Sequence, residues 1–148
     1  MQQQGDIVLY QTPNGGDICI DNGIIAMDGG LSTCVYLSLF GGNEDDNGLA
    51  NNSATWWGNI DVDHAAQKYI SLTQHILKSL PATSFNLNKL QDAVEADLAW
   101  LLSEKIMTSI IVAVSIPKMN MVHISIEMAN IQGVTQNLQY TQNWEHSK

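Results

Sequence analysis

Two clusters of oxygen- and nitrogen-bearing side chains could hold a metal. Asn43-Glu44-Asp45-Asp46-Asn47-Gly48 sets oxygen ligands at alternating positions ahead of a glycine, as a calcium loop begins. Its first position is Asn43 instead of an aspartate. The position where a bidentate glutamate would close the shell is Ala54. The segment reads better as a solvated loop. Asp61, Asp63 and His64 are close enough in sequence to share a metal, yet Asp63 is equally well used as a helix cap. His75, His123 and His146 are scattered, without the i,i+4 spacing or nearby cysteines of a zinc site. No metal and no other cofactor is expected.

Catalysis finds no clearer footing. A glycosidase needs two carboxylates held in different environments. Glu104, Glu127 and the loop acids can be nominated, but no spacing selects a pair. There is no G-x-S-x-G elbow, phosphate loop or dinucleotide fingerprint. Cys19 and Cys34 are the only cysteines, and Cys34 falls on the predicted core face of a helix. Both are expected to be reduced structural thiols, since Met1 to Gly5 lacks the basic start and apolar run of an export signal. The expectation is a protein that is not an enzyme.

Two features point to partner contact instead. Trp56-Trp57-Gly58 is either an aromatic pin holding a long loop onto the core or an exposed anchor for a partner. Val134 to Asn143 contains no Lys, no Pro and no acidic residue, the groups that ordinarily guard an exposed strand edge. That edge is either covered within the chain or completed by a strand from another chain. Tyr36, Leu37 and Phe40 lie off the main apolar face of their predicted helix. They are therefore buried on a second side or packed on a partner. The interface residues expected are Tyr36, Leu37, Phe40, Trp56, Trp57, Val134, Gln136, Leu138 and Tyr140.

The elements that must position these residues follow from periodicity and turn chemistry. Asp6 to Gln11 reads as a strand ended by Pro13-Asn14-Gly15-Gly16. Asp17 to Ile20 and Ile24 to Met27 read as the halves of a hairpin around Asp21-Asn22-Gly23. A first helix is predicted from a cap at Asp28 to Phe40, with Leu31, Cys34, Val35 and Leu39 on its core face and Gly41-Gly42 as its stop. A second is predicted from a cap at Asp63 to Leu80, with Ala65, Tyr69, Leu72, Ile76 and Leu80 inward and Pro81 at its end. A third spans Asn86 to Glu104. Leu87, Leu90, Val94, Leu98 and Leu101 keep strict helical spacing there, and Asp92 and Glu95 face away.

Beyond that point the period changes to two, in runs around Ile110–Ile116, Val122–Met128 and Val134–Tyr140. The fold class expected is α+β: an N-terminal β-hairpin, three helices and a C-terminal three-stranded antiparallel meander with one face on the helices. Residues 1–148 form one domain, with no repeat and no dividing linker.

Composition narrows the function classes. The net charge is −9, and all six basic side chains are lysines. Without a basic patch the chain is not expected to bind nucleic acid. Without arginine it has no bidentate carboxylate or phosphate fork. The longest apolar-rich stretch, Ile106 to Ile116, is interrupted by Thr108, Ser109 and Ser115 and is too short to span a membrane. Only 14% of residues are charged, so little charge has to be desolvated when a partner docks.

Gly29-Gly30-Leu31-Ser32-Thr33, Ser38-Leu39-Phe40, Trp56-Trp57-Gly58-Asn59 and Ala99-Trp100-Leu101 together resemble the Mu-like phage baseplate protein family. The likeness runs from Asp6 to about Ile126, and it is the combination that is specific. More distantly, the chain is similar to the wedge proteins that initiate the sheath in T4-like tails. Those carry a Glu-Pro-Arg motif where this sequence has Leu101-Leu102-Ser103-Glu104, so the ion pair made by that motif is not implied here.

The resemblance implies a structural baseplate subunit in the tail of the virion, assembled in the host cytoplasm. Six copies would surround the tail axis. The implied partners are the wedge proteins, the tail sheath protein and the hub or tube proteins further in, and sheath subunits interlock by lending strands to a neighbour's sheet. The alternatives are a cell-wall hydrolase carried in the tail and an assembly chaperone absent from the mature particle.

Overall fold

The computed structural model describes residues 5–12, 15–41 and 71–144. The acidic loop from Asn43, the Trp56-Trp57 pair, the cluster of Asp61, Asp63 and His64, and His146 lie outside the described residues.

The N-terminal part contains six short strands: β1 (Asp6–Ile7), β2 (Leu9–Thr12), β3 (Gly15–Ile18), β4 (Ile20–Asp21), β5 (Ile24–Ile25) and β6 (Met27–Asp28). The predicted hairpin strands are present, but each is broken once. They pair antiparallel as three ribbons: β1 with β6, β2 with β3, and β4 with β5. Val8, Cys19 and Ala26 stand at the breaks and close a ring of backbone hydrogen bonds. Val8 N–H donates to the Ala26 carbonyl at 2.9 Å, Cys19 N–H to the Val8 carbonyl at 2.9 Å, and Ala26 N–H to the Cys19 carbonyl at 2.8 Å. The ring satisfies the groups that the breaks would otherwise leave unpaired. At the tip of the β4–β5 ribbon, Asn22 (φ 50°) and Gly23 (φ 77°) supply the two left-handed residues that a tight hairpin turn requires.

Helix α1 (Leu31–Phe40) has its cap at Gly30, two residues later than the sequence suggests. Asp28 is not its cap, because Asp28 is taken up in β6 opposite Asp6. The chain enters the helix through Gly30 at φ 85°, a left-handed conformation that glycine adopts without steric cost. The Thr33 hydroxyl donates to the Ile7 carbonyl and ties the helix to the ribbons. The buried stripe is Thr33, Val35, Tyr36, Ser38 and Leu39. Cys34, expected on the core face, is exposed. The helix is rotated because Tyr36 turns inward to an aromatic cluster. Its ring centroid is 5.4 Å from Phe40 and 6.3 Å from Tyr140, and Phe40 meets Tyr140 edge-on at 5.4 Å.

Helix α2 (Leu72–Ser79) is capped by Ser71, whose hydroxyl accepts the Gln74 N–H. Asp63 falls outside the described residues. The inward residues of α2 are Thr73 and Leu77, one position on from the expected Leu72 and Ile76; Leu72 is exposed and Ile76 half-buried. Helix α3 (Ser84–Ser103) has Thr83 as its cap. Leu90, Val94, Leu98 and Leu101 are fully buried along it, as their spacing requires, while Asp92 and Glu95 face solvent.

The C-terminal meander is β7 (Ser109–Ser115), β8 (Met121–Ala129) and β9 (Thr135–Asn143), with β8 in the middle. Its inner face presents Val112, Val122, Ile124, Ile126, Met128 and Tyr140 to the helices and closes the core. Helix α3 lies against β7, and α1 meets β9 through the aromatic cluster. Trp144, just past β9, is the largest fully buried side chain among the described residues. Its indole N–H donates to the Leu80 carbonyl at 2.7 Å and pins the end of the sheet to the end of α2.

Candidate partner-docking surface

The sheet has two margins. One edge of β9 is bonded to β8 from Ala129↔Thr135 to Met121↔Asn143. Along its other edge no hydrogen-bonded strand runs among the described residues. Strand β2 lies beside β9 without joining its ladder and sends Leu9 into the core. The outer edge of β9 thus has β2 beside it and no ladder partner among the described residues.

Side-chain alternation decides what a partner would touch there. Tyr140 and Gln142 are buried, and Gln136 and Leu138 are half-buried on the same inner row. The outer row is Thr135, Asn137, Gln139, Thr141 and Asn143, all exposed. Three of the residues expected at the interface, Gln136, Leu138 and Tyr140, thus point toward the helices. The period-two pattern that marks the strand also assigns its apolar members to the core. What the strand offers outward is amide and hydroxyl groups together with its backbone edge. Beside it on β8, His123 Nδ1 lies 3.1 Å from the Thr141 hydroxyl. Val134, just ahead of β9, is 63% exposed and remains accessible.

Of the expected helix residues, Tyr36 is buried and Phe40 half-buried in the aromatic cluster; both serve the fold. Burial raises the Tyr36 phenol above its ordinary range. Tyr140 is raised further, by burial first and by the neighbouring Tyr36 second. Leu37 stays on the surface. Trp56 and Trp57 lie outside the described residues.

The sequence reading missed a second apolar surface. The β4–β5 ribbon carries Ile20, Ile24 and Ile25 at 66%, 71% and 46% exposure. A two-stranded ribbon is marginal in water unless something covers its apolar side chains. The signal was present in Ile18-Cys19-Ile20 and Ile24-Ile25, but the segment was read only as a hairpin, with no face assigned to its isoleucines.

Among the described residues, the side chains that could do chemistry do not converge. Glu104 closes α3 and Glu127 stands on the outer sheet face between Ile111 and Asn137; each is exposed. Among the described residues no group of three or more His, Cys, Asp or Glu side chains gathers as a metal site would need. Among them, too, no helix is long and apolar enough to cross a membrane.

Of the segments behind the family resemblance, the described ones on α1 and α3 meet. The Trp100 indole N–H donates to the Ser38 hydroxyl at 3.0 Å, and that hydroxyl donates to the Cys34 carbonyl at 2.7 Å. Leu39 and Leu101 are fully buried. The Ser-Leu-Phe and Ala-Trp-Leu segments thus dock α1 on α3, and the glycine of Gly-Gly-Leu makes the left-handed entry to α1. No family model, curated protein or solved structure matches the chain.

Proposed function

We propose that this chain is a structural subunit of a contractile phage tail baseplate, which binds wedge proteins and initiates the sheath by accepting a β-strand. The observation that carries the reading is the outer edge of β9: nine residues without Lys, Pro or an acid, and with no hydrogen-bonded strand among the described residues. Proteins that do not use such an edge ordinarily guard it. Backbone hydrogen bonds from an added strand would supply affinity, and the amide-rich outer row would extend across the new pair. The resemblance of the motifs at Gly29–Thr33, Ser38–Phe40 and Ala99–Leu101 gives the biological setting. The exposed isoleucines of the β4–β5 ribbon, with Leu37, supply apolar surface suited to a wedge protein. No step of this role needs a catalytic group.

The test is complementation of a phage lacking this gene. Asn137→Lys with Gln139→Lys places two charged guards on β9 while sparing the core. The double variant should fold, enter the baseplate and fail to start the sheath. Normal sheath growth on that variant would remove strand addition from the mechanism. Mass spectrometry of purified tails separates a subunit from a chaperone, because a chaperone leaves before maturation.

A further inference from the structure

Charge is divided unevenly along this acidic chain. Every lysine lies beyond Gln67, and residues 71–91 and 112–126 hold Lys78, Lys89 and Lys118 with no acid among them. The fold brings these segments to one end of the molecule, and Trp144 joins them. Its backbone N–H donates to the Asn120 carbonyl at 2.7 Å, in the turn between β7 and β8, while its indole N–H holds Leu80 in the turn between α2 and α3. Two large apolar side chains stand out at that end. Phe85, in the first turn of α3, is 74% exposed, and Met119, between β7 and β8, is 87% exposed. Lys89 Nζ lies 5.0 Å from the centroid of the Phe85 ring, so positive charge and apolar surface are presented together. The first acid along α3 is Asp92.

The N-terminal ribbons carry the opposite combination. Asp6, Asp17 and Asp21 are exposed there, with no lysine in that part of the chain. In the β4–β5 ribbon Ile20 stands across from Ile25 and Asp21 across from Ile24. One face of the ribbon is thus an isoleucine pair, and the other sets a carboxylate beside an isoleucine. We infer that the β4–β5 ribbon of one copy docks on the lysine end of a second copy. Its isoleucines would lie against Phe85 and Met119, with Asp17 and Asp21 toward Lys78, Lys89 and Lys118.

Local charge selects this pairing against the sign of the whole. Two chains of net charge −9 repel at a distance. At physiological salt the screening length is about 8 Å, so at contact the facing groups decide. Ribbon on ribbon sets acid against acid, and lysine end on lysine end sets like charges together again. Only ribbon on lysine end joins opposite charges, and it covers apolar surface on both partners.

The contact joins two different patches and is therefore heterologous: copies add head to tail, into a ring where the rotation closes and an open chain where it does not. So few side chains make a small interface, below about 1,200 Å² in total, so the association is reversible and concentration-dependent. It forms in the free chain and does not depend on the baseplate reading. A wedge protein that uses the same isoleucines would compete with it.

Sedimentation velocity of the full chain, over a concentration series at about 0.1 M and about 0.5 M salt, tests this. Wild type should grow in average mass with concentration and associate less at the higher salt. Lys78→Glu, Lys89→Glu and Lys118→Glu together make one variant, and Asp17→Lys with Asp21→Lys the other; none of the five residues is buried. Each variant sets like charges across the contact and should weaken association by roughly tenfold or more. Mixed in equal amounts, the two should associate again, because every contact between them joins opposite charges. That recovery excludes misfolding as the cause of the loss. A wild-type chain that stays monomeric throughout overturns the inference, whether the lysine end is idle or takes an acidic segment of another protein. Association that strengthens with salt, or variants that do not recover on mixing, also overturns it.

Discussion

Asp97→Asn should be among the most damaging single-atom changes this chain can receive. Asp97 is 8% exposed on α3, and its carboxylate accepts the N–H groups of Leu72 at 2.9 Å and Thr73 at 2.8 Å. These are the first two backbone donors of α2, which the helix cannot satisfy itself. The third, Gln74, goes to Ser71. At eight residues α2 is too short to persist alone, so its place depends on this anchorage to α3. Asparagine keeps the shape, but it removes the charge and turns an NH₂ toward one of the two donors. Each bond to a charged acceptor contributes about 1.5–3 kcal/mol net, and an orphaned buried donor costs about 1–3 kcal/mol. The variant should lose about 2–4 kcal/mol. For a chain of this length that corresponds to a fall in Tm of roughly 5–15 °C. Urea and thermal unfolding measure the loss, with Asp92→Asn as control. Asp92 is exposed on the same helix, and its variant should stay within about 0.5 kcal/mol of wild type. Amide exchange at Leu72 and Thr73 should accelerate more than exchange along α3. If Asp97→Asn unfolds with the control, the carboxylate is not what holds α2, and the docking of that helix on α3 is wrongly understood.

Other expectations are independent of this one. The Thr73 hydroxyl is buried with no hydrogen-bond partner among the described residues, so Thr73→Val should be neutral or stabilising by up to about 1–2 kcal/mol in urea unfolding. Gly30→Ala forces a side chain into the left-handed region and should cost about 1–2 kcal/mol, read by the same assay. Tyr36 and Tyr140 hold their protons more tightly folded than unfolded. Their contribution to stability is therefore whole below the free phenol value of about 10 and is lost as pH rises above it. Absorbance titration should show their phenolates appearing only as circular dichroism reports loss of the fold.

The sequence made the scaffold legible where one force dominated. The strict spacing of Leu90, Val94, Leu98 and Leu101 left α3 one way to bury its face, and alternation from Val122 to Met128 did the same for β8. It failed where a tertiary contact overrode a local rule. Asp28 is a good cap by type, but strand pairing with Asp6 claimed it. Cys34 and Tyr36 exchanged places because the ring of Tyr140, over a hundred residues away, draws Tyr36 inward. Asp97 read as one more surface acid, since nothing near it in sequence announces that α2 begins against it. At the candidate site what composition made legible was a strand, β9, without the charges or proline that guard an edge. Which row faces outward was also implicit in the alternation, yet apolar type drew attention to the wrong row.

The most direct test of the proposed role is cryo-electron microscopy of contractile tail tips assembled with this chain, with attention to the outer edge of Thr135–Asn143. A sheath strand continuing the β7–β8–β9 sheet beyond β9 is the result expected. A baseplate in which this chain is present but that edge faces solvent, or particles that lack the chain altogether, would contradict it.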